Sequence, residues 1–389
     1  MFLDYRVDKN ILYISLNGRI DVSNSNQVEE RLIAIRNEYS NLDIVLDGDK
    51  LEYISSAGLR IILRLRKENP KLEIINVCQE VYNIFEMTGF IDMITIKKAF
   101  RKIDIENCDF IAKGANGAVY RYDDETIVKV YYGQDTLPEI QLERENARKA
   151  FVLGVNTAIP YDIVRVGENY GTVTELLCAT SLSKLIKENS DDLEIPVNYF
   201  VNTIKNMHSI RVNRNEFTNN LNEMKEWVEI IKPHFQLEQY EKLKKLVYEI
   251  PEENILLHGD FHSNNLMIQN NEAILFDMDT LSYGHPILEL AYIYNSFIGF
   301  SEIDKLNVLN FLGFDFETAY KFFRLVLEKY FNTNDQNFIN EIENKARLLG
   351  HIRMLRRAMR VNNSESQVRI ENSKKVIGEL LEVVNKAYF

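Results

Sequence analysis

The chain has 389 residues, more than one ordinary domain holds, and its 46% apolar and 27% charged residues exclude a disordered or fibrous polymer. A formal net charge of −12 argues against nucleic-acid binding carried by overall basicity. Cys78, Cys108 and Cys178 lie far apart with no CxxC or CxxH spacing, which disfavours a zinc cluster and a disulfide framework and fits a reducing compartment. MFLDYRVDKN lacks the basic start and apolar run of a signal peptide, and no uninterrupted apolar stretch approaches the roughly 18 residues of a membrane span. The expected location is the cytoplasm, with no nucleic-acid or membrane partner.

Residues 1–100 alternate strands and helices. Phe2 to Val7 and Ile11 to Asn17 are short apolar–polar alternations joined by DKN, a hairpin signal. Val22 to Glu38 has helical periodicity, with Val28, Leu32, Ile33 and Ile35 near one face. LDIVLD (42–47) suits a buried strand. AGLRIILRLRK (57–67) is a helix with Leu59, Ile62, Leu63 and Leu65 inward, ended by Asn69-Pro70. LEIINV (72–77) is a strand and Val81 to Thr88 a helix closed by Gly89. This order predicts one small α/β layer fold over 1–100. Residues 101–109 are polar and predict a linker.

Residues 110–180 are strand-rich with one helix. FIAKGANGAVYRY reads as strand, glycine turn, strand; ETIVKVYY as a strand; Pro138 to Val152 as a helix with proline in its first turn. YDIVRVG and YGTVTELL form a hairpin around Glu168-Asn169. Residues 181–389 are almost wholly helical, except ILLHGDFHSNNLMIQNNEAILFDMDT (255–280), two short strands among polar loops. The basic run HIRMLRRAMR (351–360) reads as the solvated face of a helix that buries Ile352, Leu355 and Met359.

The chemistry lies in four elements of residues 110–280. Gly114, Asn116 and Gly117 form a glycine loop between two strands, where backbone N–H groups can approach phosphate oxygens. Lys129, on a strand between Val128 and Val130, is costly to bury unless it pairs or binds an anion. Glu145, on the helix 138–152, can pair with it, and Glu143 is a competitor. Finally, HGDFHSNN places a carboxylate, Asp260, five residues before an amide, Asn265, and Asp277 follows in FDMD. Phosphoryl transfer needs oxygen ligands for Mg²⁺ and a carboxylate near the acceptor hydroxyl, and this loop offers both.

Residues 108–389 resemble the aminoglycoside phosphotransferase/choline kinase branch of the protein-kinase-like fold. The resemblance implies an α+β two-lobed domain with an N-lobe at 110–180 and a largely helical C-lobe at 181–389. It implies ATP and Mg²⁺ as cofactors. Gly114, Asn116 and Gly117 would lie over the ATP phosphates, Lys129 would contact them, and Glu145 would hold Lys129. Glu175 and Leu177 would form the hinge that meets adenine. Asp260 would be the catalytic base, and Asn265 and Asp277 the Mg²⁺ ligands. Ala112 stands at the pattern's first glycine, and Gly259 at the arginine of the His-Arg-Asp loop. Few residues separate Asp277 from GHPILELAY, which leaves no room for a long activation loop and points to a small-molecule hydroxyl acceptor. The acidic composition of the surrounding helices suits a cationic one, such as an amino sugar or choline.

Residues 1–100 resemble the STAS domain of anti-sigma-factor antagonists, an α/β fold. The matching segments are NGRID (17–21), DGDKLEYISSAGLRIIL and VYNIFEMTGF. Ser56 falls at the phosphoacceptor position, and Ser55 replaces the aspartate that usually precedes it. The resemblance implies a protein-interaction module that regulates the kinase or binds an external partner. An alternative follows: a signalling kinase, or a nucleotide-sensing scaffold, that acts on Ser56 in a partner-switching system.

Overall fold

A computed structural model describes residues 3–114, 116–133, 136–361 and 366–389. Phe2, at the start of the first expected strand, and Ala115, in the glycine loop, lie outside them. The chain forms two compact units, residues 1–104 with 163–167, and residues 105–162 with 168–389.

In the first unit β1 (Asp4–Asp8) and β2 (Ile11–Ser15) form the expected antiparallel hairpin. β3 (Gly18–Ile20), α1 (Ser25–Glu38), β4 (Asp43–Asp47), β5 (Leu51–Ile54), α2 (Ser56–Glu68), β6 (Glu73–Val77), α3 (Gln79–Met87) and β7 (Thr95–Lys98) follow. The main sheet has the order β1-β2-β4-β6-β7, parallel from β2 onward, and β3 pairs with β5 in a separate parallel ribbon. Alternate residues of β2 and β4 (Leu12, Ile14, Ile44, Leu46) are fully buried on one face, while Ile11, Tyr13 and Val45 on the other face are half-buried. Val28, Leu32 and Ile35 of α1 pack into this core, whereas Ile33 is 46% exposed, because the helical period rotates it off the inward stripe. In α2 the inward set is Leu59, Ile61, Ile62 and Leu65. β8 (Arg101–Lys102) lies in the segment expected to be linker.

The second unit opens with β9 (Asp109–Lys113), β10 (Gly117–Arg121) and β11 (Thr126–Tyr131), then α4 (Leu137–Val152). In chain order β12 (Asp162–Val166) comes next, its residues 163–166 belonging to the first unit, and then β13 (Asn169–Glu175). β9, β10, β11 and β13 are antiparallel neighbours, with Lys129 opposite Val119 on one side and Thr172 on the other.

After β14 (Thr180–Ser181) the chain turns helical: α5 (Leu182–Glu188), α6 (Glu194–His208), then β15 (Thr218–Asn219), α7 (Asn220–Ile231) and α8 (Leu237–Tyr248). The short strands β16 (Ile255–Leu257), β17 (Leu266–Gln269), β18 (Glu272–Leu275) and β19 (Ser282–Gly284) interrupt this region. The helices α9 (Pro286–Phe297), α10 (Leu306–Leu312), α11 (Phe316–Phe331), α12 (Gln336–Val361) and α13 (Ser366–Leu381) complete it. All twelve residues of α9 are buried, so it is the central post of the helical core. α12 packs on α9 and buries Ile352 and Leu355, with Met359 half-buried against the same core. Among the described residues, no helix is long and apolar enough to cross a membrane.

Candidate active site

The strand period points Lys129 away from buried Val128 and Val130 and toward α4. Its ammonium lies 3.2 Å from Glu143 Oε1 and 3.9 Å from Asp277 Oδ1. Burial alone would lower its pKa; Glu143, Tyr131 and Asp277 together raise it above the ordinary lysine value. Tyr131 Oη donates to Glu143 Oε2 at 2.8 Å and fixes that carboxylate from the other side.

The partnership expected of Glu145 therefore falls to Glu143. Two residues along an α-helix is a turn of about 200°, so the two carboxylates point to opposite sides. Glu143 shares the inward side with Ile140 and Ala147. Glu145 is half-exposed and lies 3.7 Å from Arg148.

The glycine loop is closed by Gly114 N–H donating to the Gly117 carbonyl at 2.8 Å and by Tyr132 N–H donating to the Asn116 carbonyl at 3.0 Å. Gly117 lies against the Val130 carbonyl, where a Cβ would collide with backbone. Glu175 ends β13 opposite Thr126; Leu176 N–H bonds to the Glu125 carbonyl, and Leu177 follows, half-buried.

Residues 258–265 are held by bonds that local sequence does not announce. His258 is fully buried, and burial lowers its pKa, so its ring is neutral. The hydrogen-bond network assigns the proton to Nε2, which donates to the Phe276 carbonyl at 2.9 Å, while Nδ1 accepts from Asp260 N–H at 3.3 Å. Buried Glu289 of α9 accepts from the backbone N–H groups of His258 and Gly259. Desolvation pushes Glu289 up to about 7 against those two donors. Gly259 has φ +83°, and a Cβ there would strike the Thr280 carbonyl, so no arginine fits at this place in the loop.

An arginine arrives from elsewhere. Arg353 of α12 donates to the Gly259 carbonyl at 2.9 Å and lies 3.8 Å from Asp260 Oδ1. Burial would raise Asp260, but His262, 3.6 Å away, and Arg353 outweigh it and hold the carboxyl at about 2. Asn265 donates its amide N–H to the Asp260 carbonyl at 3.1 Å, and its own carbonyl accepts from Phe276 N–H, so the loop and the strand leading to Asp277 are tied together.

Asp277 adopts φ +63°, a left-handed conformation uncommon for a non-glycine residue and concentrated at functional sites. Buried Asn146 of α4 donates to the Met278 carbonyl at 3.0 Å and clamps the turn that follows. Burial first, then Asp277, Glu143 and Asp260, push Asp279 up to about 7, with Lys129 opposing. Asn265 and Asp277 carry hard oxygen donors of the kind a magnesium ion takes, so the residues fit that ion. Among the described residues no cluster of three or more His, Cys, Asp or Glu side chains is arranged as an all-protein metal cage.

Sequence reasoning missed Arg353, Glu289 and Asn146. Arg353 sat in a basic run already assigned to solvent, and Glu289 and Asn146 carry no local motif.

In the first unit, Ser55 caps α2 and its Oγ accepts from Gly58 N–H at 3.4 Å. Ser56 is the first residue of α2 and is exposed. Gly58 is obligatory, since a Cβ would come within 2.6 Å of Ile54 Cγ1 and 2.7 Å of Ile20 Cγ2.

These arrangements place the two units among known folds. Residues 3–103 match the model of the STAS domain, and residues 107–319 match that of the phosphotransferase enzyme family. The chain belongs to the phosphotransferase enzyme family and carries a STAS domain ahead of its kinase-like fold. The STAS region is 32% identical over 90 residues to a Bordetella bronchiseptica protein named as the anti-sigma factor antagonist BtrV, covering 22% of this chain and 77% of that one. It is 24% identical over 98 residues to the anti-sigma-B factor antagonist of Bacillus subtilis, covering 24% of this chain and 88% of that one. Among solved structures, the ADP-bound aminoglycoside phosphotransferase APH(2'')-Ib aligns with a TM-score of 0.48 at 15% identity, over 71% of this chain and 94% of that one.

Proposed function

We propose that this protein is an ATP- and Mg²⁺-dependent kinase that moves the γ-phosphate of ATP to the hydroxyl of a small molecule. The observation that carries this reading is the ammonium of Lys129 set between Glu143 and Asp277. A lysine held by one carboxylate and facing a second, beside a carboxylate–amide loop, is the arrangement that phosphoryl transfer needs.

In this reading Gly114, Asn116 and Gly117 cover the triphosphate, and the backbone at Glu175 and Leu177 meets the base. Lys129 binds non-bridging phosphate oxygens. Asn265 and Asp277 would hold a magnesium ion, which would neutralise charge on the phosphate oxygens when bound. The acceptor oxygen forms its bond to the γ-phosphorus as the bond from that phosphorus to the β–γ bridging oxygen breaks, and ADP leaves. Asp260, ionised at neutral pH, accepts a hydrogen bond from the acceptor hydroxyl and takes its proton late, as that oxygen becomes acidic. Arg353 and His262 keep Asp260 charged and aimed. The test is labelled ATP with a panel of alcohols, with intact-protein mass measured in parallel. Asp260→Ala should bind nucleotide and lose transfer by about a thousandfold; unchanged transfer would refute the assignment.

A second reading is favoured by Ser56, an exposed serine at the start of α2, where a phosphate would meet free backbone N–H groups and the positive end of the helix dipole. In it, the kinase unit acts on Ser56 of this or another STAS domain. Label on the chain that disappears in Ser56→Ala would favour it over small-molecule transfer.

A further inference from the structure

The second unit contains a cleft of about 700 Å³ bordered by Gly259 and Asp279 of the candidate active site. That volume suits a small molecule and not a protein segment. Its wall is one face of α12: Arg353, Arg356, Arg357 and Arg360 recur at i, i+3, i+4 and i+7 and all line it. Lys149 of α4 adds a fifth cation, against three acids, Glu216, Glu223 and Asp279.

The described residues compensate these arginines only in part, Glu223 being the cleft carboxylate that Arg353 and Arg356 act on. Arg353 is committed to Gly259 and Asp260. Among the described residues Arg356, Arg357 and Arg360 form no ion pair, and like charges three and four residues apart repel. Burial, and then Arg353, lower the pKa of Arg357. Burial raises the carboxyls of Glu223 and Asp279, with Arg353 and Arg356 opposing it at Glu223 and Lys129 at Asp279, so the three acids only partly offset the five cations. Three aromatic rings lie against the guanidinium groups: Tyr292 under Arg353 at 4.0 Å and Trp227 near Arg356 at 5.7 Å line the cleft, and Phe300, near Arg357 at 5.4 Å, lies outside it.

We infer that the phosphate acceptor is anionic: a small alcohol carrying phosphate or carboxylate groups, which the α12 arginines bind while its hydroxyl reaches Asp260. This replaces the cationic acceptor that the acidic composition suggests, because the charge that meets the substrate is the charge lining the cleft. Planar guanidinium forks match both oxyanions bidentately. The inference rests on the phosphotransfer reading for the fate of the hydroxyl, but not for the binding.

Trp227 is the chain's single tryptophan and lines the cleft, so its emission reports on the occupant directly. The full chain is titrated with glycerol 3-phosphate, citrate, glycerol and choline. The expected result is a saturable emission change with the first or second and none with the neutral or cationic compounds. Which anion binds more tightly tells phosphate from carboxylate. Arg356→Gln with Arg360→Gln should weaken that binding at least about tenfold, and the corresponding Lys pair should recover part of it. An emission change with choline alone, or a Gln pair that binds like the parent, overturns the inference. So does a titration that vanishes in Lys129→Ala, since the anion would then have been reading the nucleotide side. Anion binding at Trp227 in a chain that never transfers phosphate sinks the kinase reading and leaves this one standing. Transfer to amino sugars without anion binding does the reverse.

Discussion

The STAS unit and the phosphotransferase unit assemble their chemistry on different scales. Around Ser56 everything that shapes the surface comes from a few consecutive residues: the Ser55 cap, the exposed Ser56 and the crowded Gly58. Around Asp260 the constellation draws on Lys129, Glu143, Asn265, Asp277, Glu289 and Arg353, spread over more than half the chain. A short loop can be read from its own residues. A site pooled from a sheet, a loop and three helices is legible only where each contributor carries its own motif.

The comparison can be broken most sharply at the distributed site. Asp260→Ala should lower transfer by about a thousandfold with nucleotide still bound, measured by ADP release and calorimetry. A stable, active Ala variant would mean the site lies elsewhere. Glu143→Gln removes the carboxylate that holds Lys129 and should weaken nucleotide binding about tenfold, while Glu145→Gln should not. Equal effects would undo the pairing.

Stability sharpens the contrast further. Gly58→Ala and Gly259→Ala should each cost about 1–3 kcal/mol by chemical unfolding. The first should disturb the STAS unit alone. The second should also lower transfer, because Gly259 carries the backbone on which Asp260 sits.

The smallest effect is on pH dependence. The folded pKa of Glu289 is raised above the ordinary glutamate value to about 7. Its contribution is thus full below about pH 4.5 and is lost as pH rises through 7. The second unit's melting temperature should fall between pH 5 and 8, with a change on the order of 2 kcal/mol, and Glu289→Gln should flatten that slope. An unchanged slope would show that Glu289 is ionised throughout.

Much of this was present in the chain order of residues. Strand alternation and helical periodicity placed the elements of the first unit to within a few residues. The HGDFHSNN loop, the glycine turn and Lys129 marked themselves, because each needs a residue type that is costly at that place without a partner. The choice of Glu143 over Glu145 was not legible, since either carboxylate lies on the same helix and only its rotation against β11 decides. Nor was the role of the α12 arginines. Their spacing defines one helical face, but whether that face meets bulk water or a cleft beside Asp260 depends on how α12 docks on α9. Local periodicity and turn chemistry act over a few residues and are written in sequence. The rotation of packed helices and the charge of the cleft between them are settled by long-range packing, which no single segment contains.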